Sequence, residues 1–139
     1  MRALTAQRYT YNKKDKLKSR KLLDAVFKRG QSFTVFPMKV IYLKPEVERG
    51  NLLQVGVGAG SRHFKRAVHR NRIKRLMRES YRLHSIPLQQ CIEERQQPLA
   101  IFVLYIDKVL PEQDSLHQKM QVIVKRLIKE LNETNTSDT

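Results

Sequence analysis

The sequence predicts a single α+β domain, a sandwich of helices on one sheet, and three observations lead there. A chain of 139 residues with 40% apolar content can bury a real core without metal or disulfide staples. Its hydrophobic period switches between the 3.6 of a helix and the 2 of a strand. The segments so defined run helix, two or three strands, helix, strand, helix, or αβββαβα with three strands in the first group.

Ser19 is placed to cap the first helix, where Leu22, Leu23, Val26 and Phe27 form one stripe. Arg29 falls in its last turn, and Gly30 suits a left-handed position just past the end. In SFTVFPMKVIYLK, Pro37 interrupts the run, and 38–43 reads as a strand with Met38, Val40 and Tyr42 on one face. Pro45 and Glu-Arg-Gly-Asn at 48–51 mark a turn. LLQVGVGAG then alternates: Leu53, Val55, Val57 and Ala59 share a face, while Gln54, Gly56, Gly58 and Gly60 make a flat floor that something can approach closely. A helix is expected from about Arg66 to His84, and Pro87 can start a short one through about Arg95. LAIFVLYI at 99–106 is continuously apolar, as in a central strand covered on both faces. After Pro111 a final helix carries Leu116, Met120, Ile123, Leu127 and Leu131 on one stripe. The domain is expected over 16–132, between a basic, flexible arm at 1–15 and a disordered polar tail at 133–139.

Composition narrows function. A formal charge of +15 repels itself, and binding a polyanion relieves that repulsion while releasing counterions. Nucleic acid is therefore the leading partner. No stretch approaches the ~18 apolar residues of a membrane span. Without an apolar leader at the N-terminus, the chain reads as cytoplasmic. Cys91 has no partner cysteine and no activating neighbour.

Catalytic centres are missing from the pattern. The glycines at 56, 58 and 60 are spaced GxGxG and not GxGxxG, and no Lys-Ser/Thr pair follows them. The 13 acids are scattered, with no pair spaced for two-metal or acid–base chemistry. Asp107 ends the apolar strand without an evident partner, and the four His lack ligand spacing. No catalytic residue and no protein-bound metal or cofactor is expected.

Charge concentrates instead between Arg62 and Arg82, where nine Lys and Arg face only Glu79. On a helical wheel Ile73, Leu76, Met77 and Tyr81 gather on one arc with Ser80 between them. Asn71, Arg72, Lys74, Arg75, Arg78, Glu79 and Arg82 cover the opposite arc, and Arg70 lies at the boundary. A merely solvated face would alternate signs in i, i+4 pairs, yet only Arg75–Glu79 fits that spacing. A DNA-reading helix usually follows another helix and a tight turn, whereas a strand and loop precede this one. RNA-backbone binding remains, with Arg forks on phosphate oxygens and the helix N-terminus adding its positive end.

At Ala67-Val68 and Arg70-Asn71-Arg72-Ile73-Lys74-Arg75-Leu76, followed by Arg78-Glu79, the chain resembles the bacterial ribonuclease P protein subunit, and LLDAVFKRG and Val40-Ile41-Tyr42 extend the likeness over about 16–132. The resemblance implies an α/β sandwich whose signature helix enters through an unusual left-handed βαβ crossover. It also implies a catalytic RNA partner that uses Mg²⁺ to cleave the 5′ leader from precursor tRNA, with no obligate protein partner and no membrane. Carried over by position, Arg70, Asn71, Arg72, Lys74, Arg75 and Arg78 would contact the RNA subunit and phosphates, with Arg62, Lys65 and Arg66 beside them. Leu23, Phe27, Val40, Tyr42, Gly58 and Gly60 would line a cleft for the leader, where aromatic stacking tolerates any base. Two positions depart from the family pattern: Leu23 stands where Phe is frequent, and Gly58-Ala59-Gly60-Ser61-Arg62 replaces a Ser- and Lys-bearing segment. A structural or general RNA-binding protein with no part in cleavage is the alternative.

Overall fold

The computed structural model describes residues 17, 19–45 and 52–137, with side chains through 133. The expected basic arm at 1–15 and turn at 48–51 lie outside the described residues. Helix α1 (Arg20–Arg29) begins as its capping residue dictates, with the Ser19 hydroxyl accepting from the Leu22 N–H at 3.3 Å. Gly30 ends it with its N–H donated to the Val26 carbonyl, but at φ −73° and ψ 160°, so a left-handed turn is not the reason for glycine. The reason is proximity, because a Cβ there would lie 2.7 Å from the Tyr42 carbonyl oxygen.

Strands β1 (Gln31–Val35), β2 (Met38–Leu43), β3 (Leu53–Ala59) and β4 (Leu99–Tyr105) form one sheet in the order β1-β2-β4-β3. The β1–β2 and β2–β4 pairs are antiparallel, whereas β3 and β4 run parallel from Leu53↔Leu99 to Ala59↔Tyr105. Parallel neighbours need a crossover, here α2 (Ala67–His84) followed by α3 (Ile86–Arg95). The expected order αβββαβα thus gains one element, because Ile86 onward, with Pro87 in its first turn, forms a helix of its own. As its apolar run requires, β4 is central.

The two faces of the sheet are covered unequally. Met38, Val40, Tyr42, Val55, Ile101 and Val103 join Ile73, Met77, Leu88, Ile92, Leu116, Met120, Ile123 and Leu127 in the main core under α2, α3 and α4. On the opposite face α1 lies chiefly over β2 and β4, in a small cluster of Leu17, Val26, Ile41 and Ala100. Helix α4 runs Gln113–Ser137, so 133–137 is helical where a disordered tail was expected. No Pro or Gly interrupts that stretch, and Lys129 lies 4.0 Å from Glu133 at i, i+4.

Candidate RNA interface

The sides of α2 separate as its wheel requires. Ile73, Met77, Ser80 and Tyr81 are buried and Leu76 is half-buried, while Asn71, Arg72 and Arg75 are exposed and Lys74 and Arg78 half-exposed. Among the described residues, Arg72, Lys74, Arg75 and Arg78 form no ion pair. The i, i+4 spacing of Arg75 and Glu79 produces no ion pair, and Glu79 instead accepts from Arg82 at 2.6 Å on the next turn. The acid is thereby directed toward the C-terminal end of α2, away from Arg72 and Arg75.

The loop before α2 is built to hold more cations outward. Phe64 is its buried anchor, with its ring centroid 6.1 Å from that of Tyr105, and Arg62, His63, Lys65 and Arg66 stand exposed around it. Arg70, expected to touch RNA, turns inward: its Nη1 donates to the carbonyls of Phe64 and Lys65, both at 2.8 Å. One guanidinium group therefore sets the path that carries Arg62, Lys65 and Arg66. No side chain caps the N-terminus of α2 and no acid sits in its first turn, so its positive end adds to this surface.

The expected cleft residues divide between the faces of the sheet. Leu23 is half-buried on α1; Phe27 is 49% exposed, its ring 5.1 Å from that of Phe102 at 56°. Gly58 lies under Phe102 on the same side, and Gly60 opens to solvent. Val40 and Tyr42 do not belong with them. Both are buried in the main core on the far side of the sheet, Val40 at 0% exposure. The Tyr42 hydroxyl lies 2.9 Å from Gln31 Oε1 and 3.1 Å from Glu130 Oε1, so its polar tip ties β1 and β2 to α4. Burial and the Glu130 contact push its pKa up to about 12. Arg126 completes that tie, donating to Glu130 at 3.0 Å while its guanidinium sits 4.7 Å over the Phe33 ring.

Strand alternation exchanges Val40 and Tyr42 for their neighbours. Ile41 faces α1, and so does Lys39, which is half-buried and pairs with Leu104 across the sheet. Lys39 and Phe102 are the residues of this face that sequence reasoning missed. The parity of β2 carried the signal for Lys39, once the buried face was known to be the α4 side. In β4 both parities are apolar, so Phe102 carried none.

This surface offers exposed cations and an uncapped helix end in the segment that follows β3, and a half-exposed Phe27 ring resting on Phe102, which itself lies over Gly58 near the end of that strand. It suits phosphates and unpaired bases. Among the described residues no three His, Cys, Asp or Glu side chains gather as a metal site, and no helix is long and apolar enough to cross a membrane.

A family model described as Ribonuclease P matches residues 11–128. The ribonuclease P protein component of Porphyromonas gingivalis is 33% identical over 116 residues, covering 84% of this chain and 85% of that one. Its counterpart in Clostridium kluyveri is 43% identical over 61 residues, 44% of this chain and 51% of that one. The RNase P protein of Thermotoga maritima shares the fold at a TM-score of 0.59 and 20% identity, over 80% of this chain and 96% of its own. A mutant Staphylococcus aureus RNase P protein shares it at 0.63 and 18%, over 89% and 96%. With the family model and a relative 33% identical each spanning most of the chain, this chain belongs to the ribonuclease P protein family.

Proposed function

We propose that this chain is the RNA-binding protein subunit of ribonuclease P, acting with a catalytic RNA to remove the 5′ leader of precursor tRNA. The observation that carries the reading is the one-sided cationic face of α2. Arg72, Lys74, Arg75 and Arg78 have no ion-pair partners among the described residues, and they point away from a helix side buried in the core. Each phosphate they neutralise releases a counterion and reduces repulsion between the catalytic RNA and its substrate.

In this reading the loop bearing Arg62, Lys65 and Arg66 joins α2 in docking on the RNA subunit. The groove beside Phe27 receives the unpaired leader. Residues 60–78 contain no carboxylate, and guanidinium and ammonium groups have no lone pair for Mg²⁺. The protein face therefore does not fit the ion, and Mg²⁺ is assigned to the RNA. The polypeptide binds, orients and screens charge, and it performs no bond-breaking step.

Reconstitution with a cognate RNA subunit and precursor tRNA at limiting Mg²⁺ tests the proposal. Cleavage of the leader should accelerate when the protein is added, and Arg72→Ala with Arg75→Ala should reduce the gain. RNA binding without any acceleration would replace the proposal with a structural RNA-binding role.

A further inference from the structure

The glycines at 56, 58 and 60 meet different surroundings. A Cβ at Gly56 would come to 3.0 Å from Phe102 Cδ1 and 3.4 Å from Leu17 Cβ. At Gly58 it would come to 2.7 Å from Phe102 Cζ, and at Gly60 it would meet nothing nearer than the Arg62 nitrogen at 4.0 Å. The Phe102 ring therefore lies across the backbone of β3, in a space left open only because 56 and 58 have no side chains. Phe27 rests on that ring at 5.1 Å between centroids while remaining 49% exposed.

A surface phenylalanine without backing samples several rotamers, and a base that stacks on it must first order it. A ring already held in tilted contact by a second ring avoids that step. We propose that Phe102 is a positioning residue for the leader: bedded on Gly56 and Gly58, it holds the Phe27 ring ready for an unpaired base. This rests on the reading of the groove given above. Gly58 sets the height of Phe102, Phe102 sets Phe27, and Phe27 meets the base. Lys39, on the same face and without an ion-pair partner among the described residues, supplies a cation for the adjoining phosphate.

Simple core filling is the competing account of Phe102. It predicts that a leucine, which also fills apolar space, leaves leader recognition intact. The assembled holoenzyme distinguishes the two through its affinities for precursor tRNA with a short unpaired leader and for the same tRNA without one. Phe102→Leu should lower the leader-bearing affinity about fivefold, a fraction of a full base–aromatic stacking contribution, and leave the leaderless affinity unchanged. Gly58→Ser should cause a similar loss by lifting the ring. The double variant should lose no more than either single, because leucine leaves no ring edge to displace. A 2-aminopurine in the leader should be quenched on binding, and less so with Phe102→Leu.

Unchanged leader selectivity in Phe102→Leu would overturn the proposal. So would equal losses on both RNAs, which mark a structural role, or additive losses in the double variant. If the unsubstituted holoenzyme binds both RNAs equally well, the groove reading itself fails.

Discussion

On one face of the sheet, α2, α3 and α4 bury Ile73, Met77, Leu88, Ile92, Leu116, Met120, Ile123 and Leu127 to 2% exposure or less. On the other, α1 buries Val26 completely but leaves Leu22 and Leu23 half-buried and Phe27 49% exposed. Hydrophobic stabilisation scales with the apolar area withdrawn from water, so the first face holds most of it. The thinly covered face keeps aromatic and cationic groups accessible, and the basic loop and α2 start from the end of its outer strand, β3. In the proposed reading, most of the apolar stabilisation lies on one face and the leader meets the other, a separation that can be tested residue by residue.

Substitution in the thick face should have the largest effect. Met77→Ala removes a fully buried side chain and should cost about 2–5 kcal/mol in denaturant unfolding. Phe27→Ala, on the thin face, should cost about 1 kcal/mol or less, because half of its surface is already wet. Comparable losses at the two sites would abolish the distinction.

Next in size is a contrast within the basic segment. Arg70→Ala removes two hydrogen bonds to the carbonyls of Phe64 and Lys65. It should destabilise the protein by about 1–2 kcal/mol and weaken RNA binding by loosening the loop. Arg72→Ala should leave stability within about 0.5 kcal/mol. Its effect should appear in the salt dependence of RNA affinity, with the log–log slope reduced by about 0.7–0.9, one phosphate contact. If the slope is unchanged, Arg72 merely faces solvent. If Arg70→Ala behaves like Arg72→Ala, the clamp does not order the loop.

These contrasts also mark what the sequence could and could not reveal. The stripes of α2 and α4 were legible because a helix with one buried side repeats its apolar residues at a fixed angle. Ser19 was legible as a cap because its hydroxyl acts within one turn. The parity of β2 was legible as well, but not which helix lay over which parity, since Val40 and Ile41 are both apolar and both buried. Tyr42, carried over from the family pattern as a cleft residue, lies in the main core on the other face. Its hydroxyl is matched by Glu130, 88 residues away, a distance over which local pattern carries no information. The glycines at 56 and 58 announced a close approach, but the approaching group is Phe102 of the neighbouring strand, hidden in a run where every residue is apolar. Arg70 looked like its neighbours because charge pattern does not separate a cation that meets solvent from one that meets backbone carbonyls.

The smallest effect concerns the rim of the thick face, where His84 at the end of α2 meets His117 of α4. Their Nε2 and Nδ1 atoms are 3.0 Å apart, and the Gln121 amide nitrogen lies 3.2 Å from His84 Nδ1. An amide donor at Nδ1 places the His84 proton on Nε2, directed at the His117 lone pair. With both rings protonated the contact would be lost, because neither nitrogen would keep a lone pair to accept. Burial, and then the nearness of His117, hold the His84 pKa below its ordinary 6.5. Because the folded-state value is depressed, the unfolded chain takes up protons more readily as pH falls. The stability associated with the neutral ring is therefore complete above 6.5 and is lost as pH drops through the lower, folded-state value. The unfolding temperature of the unsubstituted protein should decline between pH 7 and 5.5, and His84→Gln should flatten the decline while leaving a similar value at pH 7.5. The whole change should be smaller than that from Met77→Ala, since it involves one partly exposed contact and no cavity. An equally steep decline with glutamine at 84 would move the acid sensitivity elsewhere and leave the α2–α4 junction as simple packing.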